Sequence, residues 1–288
     1  MAKEEDNMKA RKAVFAGSWY PGSAFECERE IKEFIKDTKT VSGIKPVGGI
    51  VPHAGWYYSG SIACNVIKIL SESGAPDVVI VFGMHLHPGS TRYLMKEGAW
   101  ETPFGDIEIR EDLASELAKK YSFEIETAQR FTRDNTIELQ LPFLKYFFKD
   151  VKIVPMGVPP VEESLKVGRD AVKIAKDLGI KTMVLGSTDL THYGVNYGFV
   201  SHGRGASALN WVKNENDKKV IDAMLAMDPG KVIKEALSND NACCSGAAAT
   251  AISAAKELGA SRAELVTYTT SYDISPADSF VGYAGIVF

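Results

Sequence analysis

The sequence predicts an α/β fold: a single domain with a mostly parallel central sheet flanked by helices. Three observations predict it. Continuous apolar runs at 47–51, 77–83, 151–158 and 182–186 alternate with helical patterns, as parallel strands buried on both faces do. Each run empties into a loop carrying glycine or polar residues, where open α/β sheets place their chemistry. No internal repeat, low-complexity stretch or domain linker divides the 288 residues.

Taken in order, residues 1–10 read as a frayed, polar tail. Residues 13–22 are a loop rich in aromatic and turn residues, including Trp19 and Tyr20. Ser23 followed by Glu26 reads as a capping box. It opens a helix to about Asp37 with Phe25, Ile31, Phe34 and Ile35 on its apolar face. Residues 38–46 read as a linker. The strand at 47–51 then runs into Pro52-His53-Ala54-Gly55-Trp56-Tyr57-Tyr58. His53 either satisfies this loop or points into a site, with Gly55 letting backbone approach a ligand. A helix over 61–72 turns Ile62, Val66, Ile67 and Leu70 inward.

The run at 77–83 ends in Met84-His85-Leu86-His87. Residues 91–109 read as short strands broken by Pro103-Phe104-Gly105, and 111–120 as a helix. Residues 130–135 form a polar loop, and 137–148 a helix with Pro142 tolerated in its first turn. The strand at 151–158 precedes an amphipathic helix over 162–178, closed by Gly179. The strand at 182–186 empties into Ser187-Thr188-Asp189-Leu190-Thr191-His192. Residues 195–210 read as irregular, 218–227 and 229–237 as helices, and 239–246 as a polar turn holding Cys243. An alanine-rich helix over 247–258 and strands at 265–270 and 282–288 close the chain.

Composition excludes several classes. A formal net charge of −4 without a basic block argues against nucleic-acid binding. No apolar run approaches the roughly 18 residues of a membrane span, and the charged start reads as no signal peptide. Four cysteines in 288 residues are not a disulfide scaffold. Neighbours such as Cys243 and Cys244 rarely bridge without strain. A reduced, cytoplasmic protein is expected.

Of five histidines, four sit at strand ends: His53, His85, His87 and His192. With Asp189 and Cys243 they converge if the strands are parallel neighbours. Two histidines with a cysteine or carboxylate suit iron, copper or zinc. Asp189 and His192 then read as acid–base or ring-orienting groups. The bland alternative is a set of local loop hydrogen bonds. By spacing alone, Cys243 reads as a buried small apolar residue and Glu138 as helix-start electrostatics. Trp19, Tyr20, Trp56, Tyr57 and Tyr58 suit either core packing or a pocket wall.

Ala16-Gly17-Ser18-Trp19-Tyr20, Pro52-His53-Ala54-Gly55, Thr136-Ile137-Glu138-Leu139-Gln140-Leu141-Pro142, Ser187-Thr188-Asp189-Leu190-Thr191-His192 and Tyr283-Ala284-Gly285 resemble the Memo family (mediator of receptor-driven cell motility). The resemblance spans essentially the whole chain. It implies one Memo-like domain over 11–288 after a flexible tail, with a class III extradiol dioxygenase-like fold and a metal-type pocket. Carried over, the family's metal ligands fall on His53, the His85 region and Cys243, and its acid–base pair on Asp189 and His192. Trp19, Tyr20, Trp56, Tyr57, Asn135 and Glu138 are then expected to bind the ligand. The chain departs from the family pattern twice. Leu86 stands at the usual histidine position, so His85, or His87 as its alternative, must serve. Asn135 stands where a histidine is frequent, and an amide is no general acid.

Three functions compete. One is an Fe(II)- or copper-dependent enzyme of dioxygenase or redox type acting on a small molecule, with zinc as a further metal. Another is a non-catalytic peptide- or ligand-binding module. That reading follows from relatives associated with phosphotyrosine-bearing segments, although no Arg/Lys cluster lines the motifs. The third is metal handling through the same ligands. No nucleic-acid or membrane partner is expected, and a homo-oligomer is compatible with the sequence.

Overall fold

A computed structural model describes residues 10–36, 41 and 43–288. Residues 1–9 of the expected tail and 37–40 and 42 around the expected linker lie outside them. Ala10 departs from the tail reading. With Arg11 it forms β1 (Ala10–Arg11), paired in parallel with β5 (Ala99–Trp100), which β6 (Ile107–Glu108) extends. Arg11 is what holds it. Its guanidinium lies 3.6 Å over the Trp100 ring and 2.6 Å from Glu126.

Among the described residues, the main sheet holds nine strands. Its centre runs β2 (Gly48–Val51), β9 (Thr182–Ser187), β3 (Val78–Gly83), β8 (Lys152–Gly157), all parallel. These are the four apolar runs, and nearly every residue in them is buried, as two covered faces require. The flanks are mixed. Beyond β8 lies antiparallel β4 (Tyr93–Met95), with β7 (Glu124–Glu126) parallel to it. Beyond β2 lies antiparallel β12 (Phe280–Val287), which also takes β11 (Glu264–Thr270) and a short β10 (His192–Tyr193). The expected α/β unit with a parallel centre is therefore present, within a sheet that is mixed overall.

Helices cover the sheet. α1 (Ala24–Phe34) buries Cys27 and Ile31. Phe25 stays 75% exposed, so it does not belong to the apolar face as expected. The N-cap is half a capping box: the Ser23 hydroxyl accepts from Glu26 N but donates to the Glu26 carboxylate. α2 (Ser61–Ser73) follows a π-helical turn over Trp56–Gly60. α3 (Glu111–Lys120) is as expected. The helix expected over 137–148 is two, α4 (Asn135–Glu138) and α5 (Leu141–Phe148). Pro142 has no N–H for the Glu138 carbonyl, so the ladder breaks there.

α6 (Glu162–Asp177) packs on α10 (Ser245–Glu257), whose small residues also seat against β9. Between them come α7 (Ala206–Trp211), inside the region expected to be irregular, then α8 (Asp217–Leu225) and α9 (Pro229–Asn239). A short α11 (Ser271–Ile274) links β11 to the loop before β12. No helix among the described residues is long and apolar enough to cross a membrane.

Candidate metal centre

Register brings the site together. Val51 pairs with Ser187, and Phe82 with Gly186. The carboxyl ends of β2, β9 and β3 therefore lie side by side on one rim, with β9 in the middle. His53, Asp189 and His85 each stand two residues beyond the last residue of their strand. Three chain segments far apart in sequence thus deliver their chemistry to one spot.

His53 is buried and held from several sides. Its Nδ1 lies 2.9 Å from Ser187 Oγ, and its Nε2 lies 3.2 Å from Cys243 Sγ. Its backbone N–H donates to Asp189 Oδ1 at 2.7 Å, and its carbonyl accepts from Asn135 Nδ2 at 2.8 Å. Gly55 lines the cavity beside His53, and a Cβ there would sit 3.3 Å from the Trp19 carbonyl, so its bareness also admits the Trp19 backbone.

The loop after β3 resolves the choice between two histidines in space. Met84 takes a left-handed φ of 71°, and its N–H donates to Thr136 Oγ1 at 2.7 Å. Such a conformation in a methionine is held only by its surroundings. It carries His85 inward, where its ring centroid lies 5.0 Å from that of His53. Asp134 Oδ2 contacts His85 Nδ1 at 3.2 Å. His87 is exposed, with its backbone N–H on Ser90 Oγ, and takes no part in the cluster.

Cys243 arrives on the turn before α10. Its N–H donates to the Asp189 carbonyl at 3.1 Å, and Cys244 N donates to Thr188 Oγ1 at 3.0 Å, which ties this turn to the end of β9. The donor atoms of His53, His85, Cys243 and Cys244 all lie within 4.8 Å of one another. Metal bonds of about 2.0–2.3 Å place tetrahedral donors roughly 3.4–3.8 Å apart. Cys243 Sγ stands 3.2 Å from His53 Nε2 and 3.8 Å from Cys244 Sγ, already close to that spacing, so the residues fit an ion. Two imidazoles with one or two thiols form a borderline-to-soft donor set.

The charges are mutually supporting. Burial opposes a proton on His53, but Asp189 and Cys243 outweigh it and raise its pKa. Burial likewise opposes one on His85, and the bonds to Asp134 and Cys243 overcome it, pushing His85 up to about 10. Burial opposes a thiolate at Cys243, yet contact with Cys244, His53 and His85 holds the thiol well below its usual value. Burial pushes Cys244 well above it. Burial also raises Asp189, against the pull of His53.

A cavity of about 640 Å³ opens over His53 and His85. Trp19, Tyr57, Asn135, Asp189 and His192 line it, as do Tyr58, Tyr197 and Tyr283. Asp189 and His192 thus share the cavity wall, but the Asp189 carboxylate bonds His53, while His192 Nδ1 lies 3.1 Å from the Leu190 carbonyl. Tyr20, Trp56 and Glu138 depart from the expectation that they line this pocket. Trp56 stacks on Phe143 at 4.1 Å in the core. Glu138 is fully buried and accepts from Val14 N, Phe15 N and the Tyr20 hydroxyl. These three secure the 13–22 loop from behind. The sequence reading missed Cys244, Asp134, Ser187 and Tyr283. Cys244 carried a signal in its place beside Cys243, and Ser187 and Tyr283 stood inside the family-like motifs without a role of their own. Asp134 became visible once strands and loops were assembled.

Comparisons with known proteins bear on the fold and the family. A structure titled "Crystal structure of uncharacterized protein JW3007 from Escherichia coli K12" shares the fold. The TM-score is 0.52 at 11% identity, over 84% of this chain and 98% of that one. The MEMO1 family protein PF1638 of Pyrococcus furiosus is 35% identical over 96% of this chain and 98% of its own. The MEMO1 family protein MK0963 of Methanopyrus kandleri is 34% identical over 96% and 98%. A family profile described as "Memo-like protein" matches residues 11–287. With relatives this similar along nearly its full length, the chain belongs to the Memo family.

Proposed function

We propose that this chain binds one Fe(II) or copper ion through His53, His85 and Cys243 and uses it in redox or dioxygenase-type chemistry on a small molecule held in the adjacent cavity. One observation carries the reading. Two imidazoles and a thiol, from three separate loops, approach to within 4.8 Å of one another, and both imidazoles line a cavity with aromatic walls. Held by these residues, such an ion would supply redox or Lewis-acid chemistry. The chain's own residues do the rest. Ser187 and Asp189 fix the His53 ring and backbone, and Asp134 orients His85. Trp19, Tyr57 and Tyr197 wall the ligand, and His192 is placed to hold or move a proton on the cavity side. Asn135 is engaged with the His53 carbonyl and supplies an amide there, not an acid.

Metal content of untagged protein, loaded with Fe(II), Cu(I) or Zn(II) under reducing conditions and dialysed, tests this. One equivalent of ion is expected, falling at least about tenfold in His53→Ala or Cys243→Ala. No retained ion in the unaltered protein overturns the reading. Metal handling is a second reading, favoured by Cys244. A second sulfur at the cluster suits Cu(I) or zinc storage, and retention without turnover would select it. Phosphopeptide binding is less well supported, because neither Arg nor Lys is among the cavity-lining residues.

A further inference from the structure

We propose that Cys243 and Cys244 form a hydroperoxide-reactive dithiol, whose oxidation to a bridge between the two neighbours withdraws the sulfur donors from the His53–His85 cluster. The metal half of this rests on the proposed function. The thiol half stands on the chain alone.

All four cysteines are free, but they differ in setting. Cys27 and Cys64 are fully buried in the core, and burial raises both thiols. Cys243 is partly exposed, with a buried imidazole nitrogen 3.2 Å from its sulfur and a second imidazole nearby. That is the electropositive, reachable setting in which thiols react. Neighbouring side chains in extended backbone point to opposite faces. Here the turn into α10 brings the two sulfurs to 3.8 Å, with both backbone N–H groups anchored to residues 188 and 189. A reactive thiol beside a second one is the arrangement of reversible redox sites.

The chemistry balances. Cys243 Sγ attacks the outer oxygen of a hydroperoxide, and its proton passes to His53 Nε2. The O–O bond breaks, an S–O bond forms, and the leaving oxygen takes up a proton to depart as water or an alcohol. Cys244 Sγ then displaces water from the sulfenic acid and forms the S–S bond. The two sulfurs lose two electrons and the peroxide gains them. The bridge is strained. Neighbouring Cα atoms stand about 3.8 Å apart, whereas disulfides ordinarily need roughly 4.4–6.8 Å. A strained bridge is easily reduced, so a small dithiol restores the pair. While it lasts, two imidazoles remain and both thiol donors are gone.

The test uses metal-free, full-length protein treated with equimolar hydrogen peroxide, then alkylation and peptide mass spectrometry. The peptide containing Cys243 and Cys244 should become two hydrogens lighter and resist alkylation, at least about tenfold faster than Cys27 or Cys64 is lost. Dithiothreitol should reverse it. Cys244→Ser, checked for an unchanged melting temperature, should stall at a sulfenic acid on Cys243 that dimedone traps. Over-oxidation of Cys243 with Cys244 still alkylatable overturns the dithiol, as does reactivity no greater than that of Cys27 and Cys64. Oxidised protein should then retain at least about tenfold less metal than reduced protein, and equal retention overturns the coupling. If reduced protein binds no metal, the proposed function and the coupling fall together, while the thiol result still decides the dithiol.

Discussion

Single residues at this site are held by groups that are themselves buried, and two of these make predictions. Asp217 is fully buried, accepting from Thr191 N at 3.0 Å, from the Thr191 hydroxyl, and from the Tyr268 hydroxyl at 2.7 Å. Burial raises it to about 6 despite these donors. An unfolded aspartate sits near 3.9, so the folded state holds the proton more tightly. The stability this group contributes is therefore complete below about pH 4 and is lost as pH rises through about 6, on the order of 3 kcal/mol. Asp217→Asn should flatten that fall in urea midpoints measured from pH 4 to 7. An unchanged fall in the variant would count against the assignment. Glu138 is a second buried carboxyl group, also raised by burial. Its carboxylate satisfies two backbone N–H groups of the 13–22 loop, so Glu138→Ala should cost about 2–4 kcal/mol in urea unfolding. It should also loosen Trp19 on the cavity wall, seen as altered Trp fluorescence.

At the scale of elements, the close seating of α10 on the sheet sets the position of Cys243. Gly186 has no room for a side chain: a Cβ would lie 2.8 Å from Ala251 Cβ and 2.9 Å from the Ala247 carbonyl. The alanine-rich face of α10 exists to approach β9 this closely, and Ser187, the next residue, contacts His53. Gly186→Val should push α10 off the strand, costing about 2–3 kcal/mol by chemical denaturation, and should lower metal retention as well. Retention unaffected in a destabilised variant would show that α10 does not set the donor geometry. Ala and Gly in such a run read only as a close-packed helix. Which strand receives it depends on strand order.

For the whole molecule, the first described strand supports the site indirectly, from outside the main sheet. Arg11 is buried between Trp100 and Phe131, paired with Glu126, and donates to the Thr132 carbonyl at 2.9 Å. It pins the loop that delivers Asp134 to His85 and Asn135 to His53. Arg11→Ala leaves Glu126 buried without its partner, so a loss of about 3–5 kcal/mol is expected. Pairing Arg11→Met with Glu126→Leu should recover much of it. A double variant no more stable than the single one would mean that packing, not the unpaired charge, carries the cost.

The sequence by itself determined the parallel core, because strands buried on both faces must be continuously apolar and the runs at 47–51, 77–83, 151–158 and 182–186 are. It also pointed to strand ends as the place of the candidate residues, since His53, His85 and Asp189 follow those runs within three residues. It did not determine that α4 and α5 are separate, although Pro142 carried the reason, nor that Ala10 belongs to a strand, which needed Trp100 and Glu126 as partners. Only the tertiary structure decided how the candidate residues divide. Tyr20, Trp56 and Glu138 share a loop, a helical turn and a helix with the cavity residues Trp19, Tyr57 and Asn135 but are buried, and facing is fixed by what packs behind a segment rather than by its composition. Only the tertiary structure turned His85 inward and His87 outward, because the φ of Met84 is held by Thr136, 52 residues away. Contacts of that range follow from strand order and register, which a local pattern of residues does not encode.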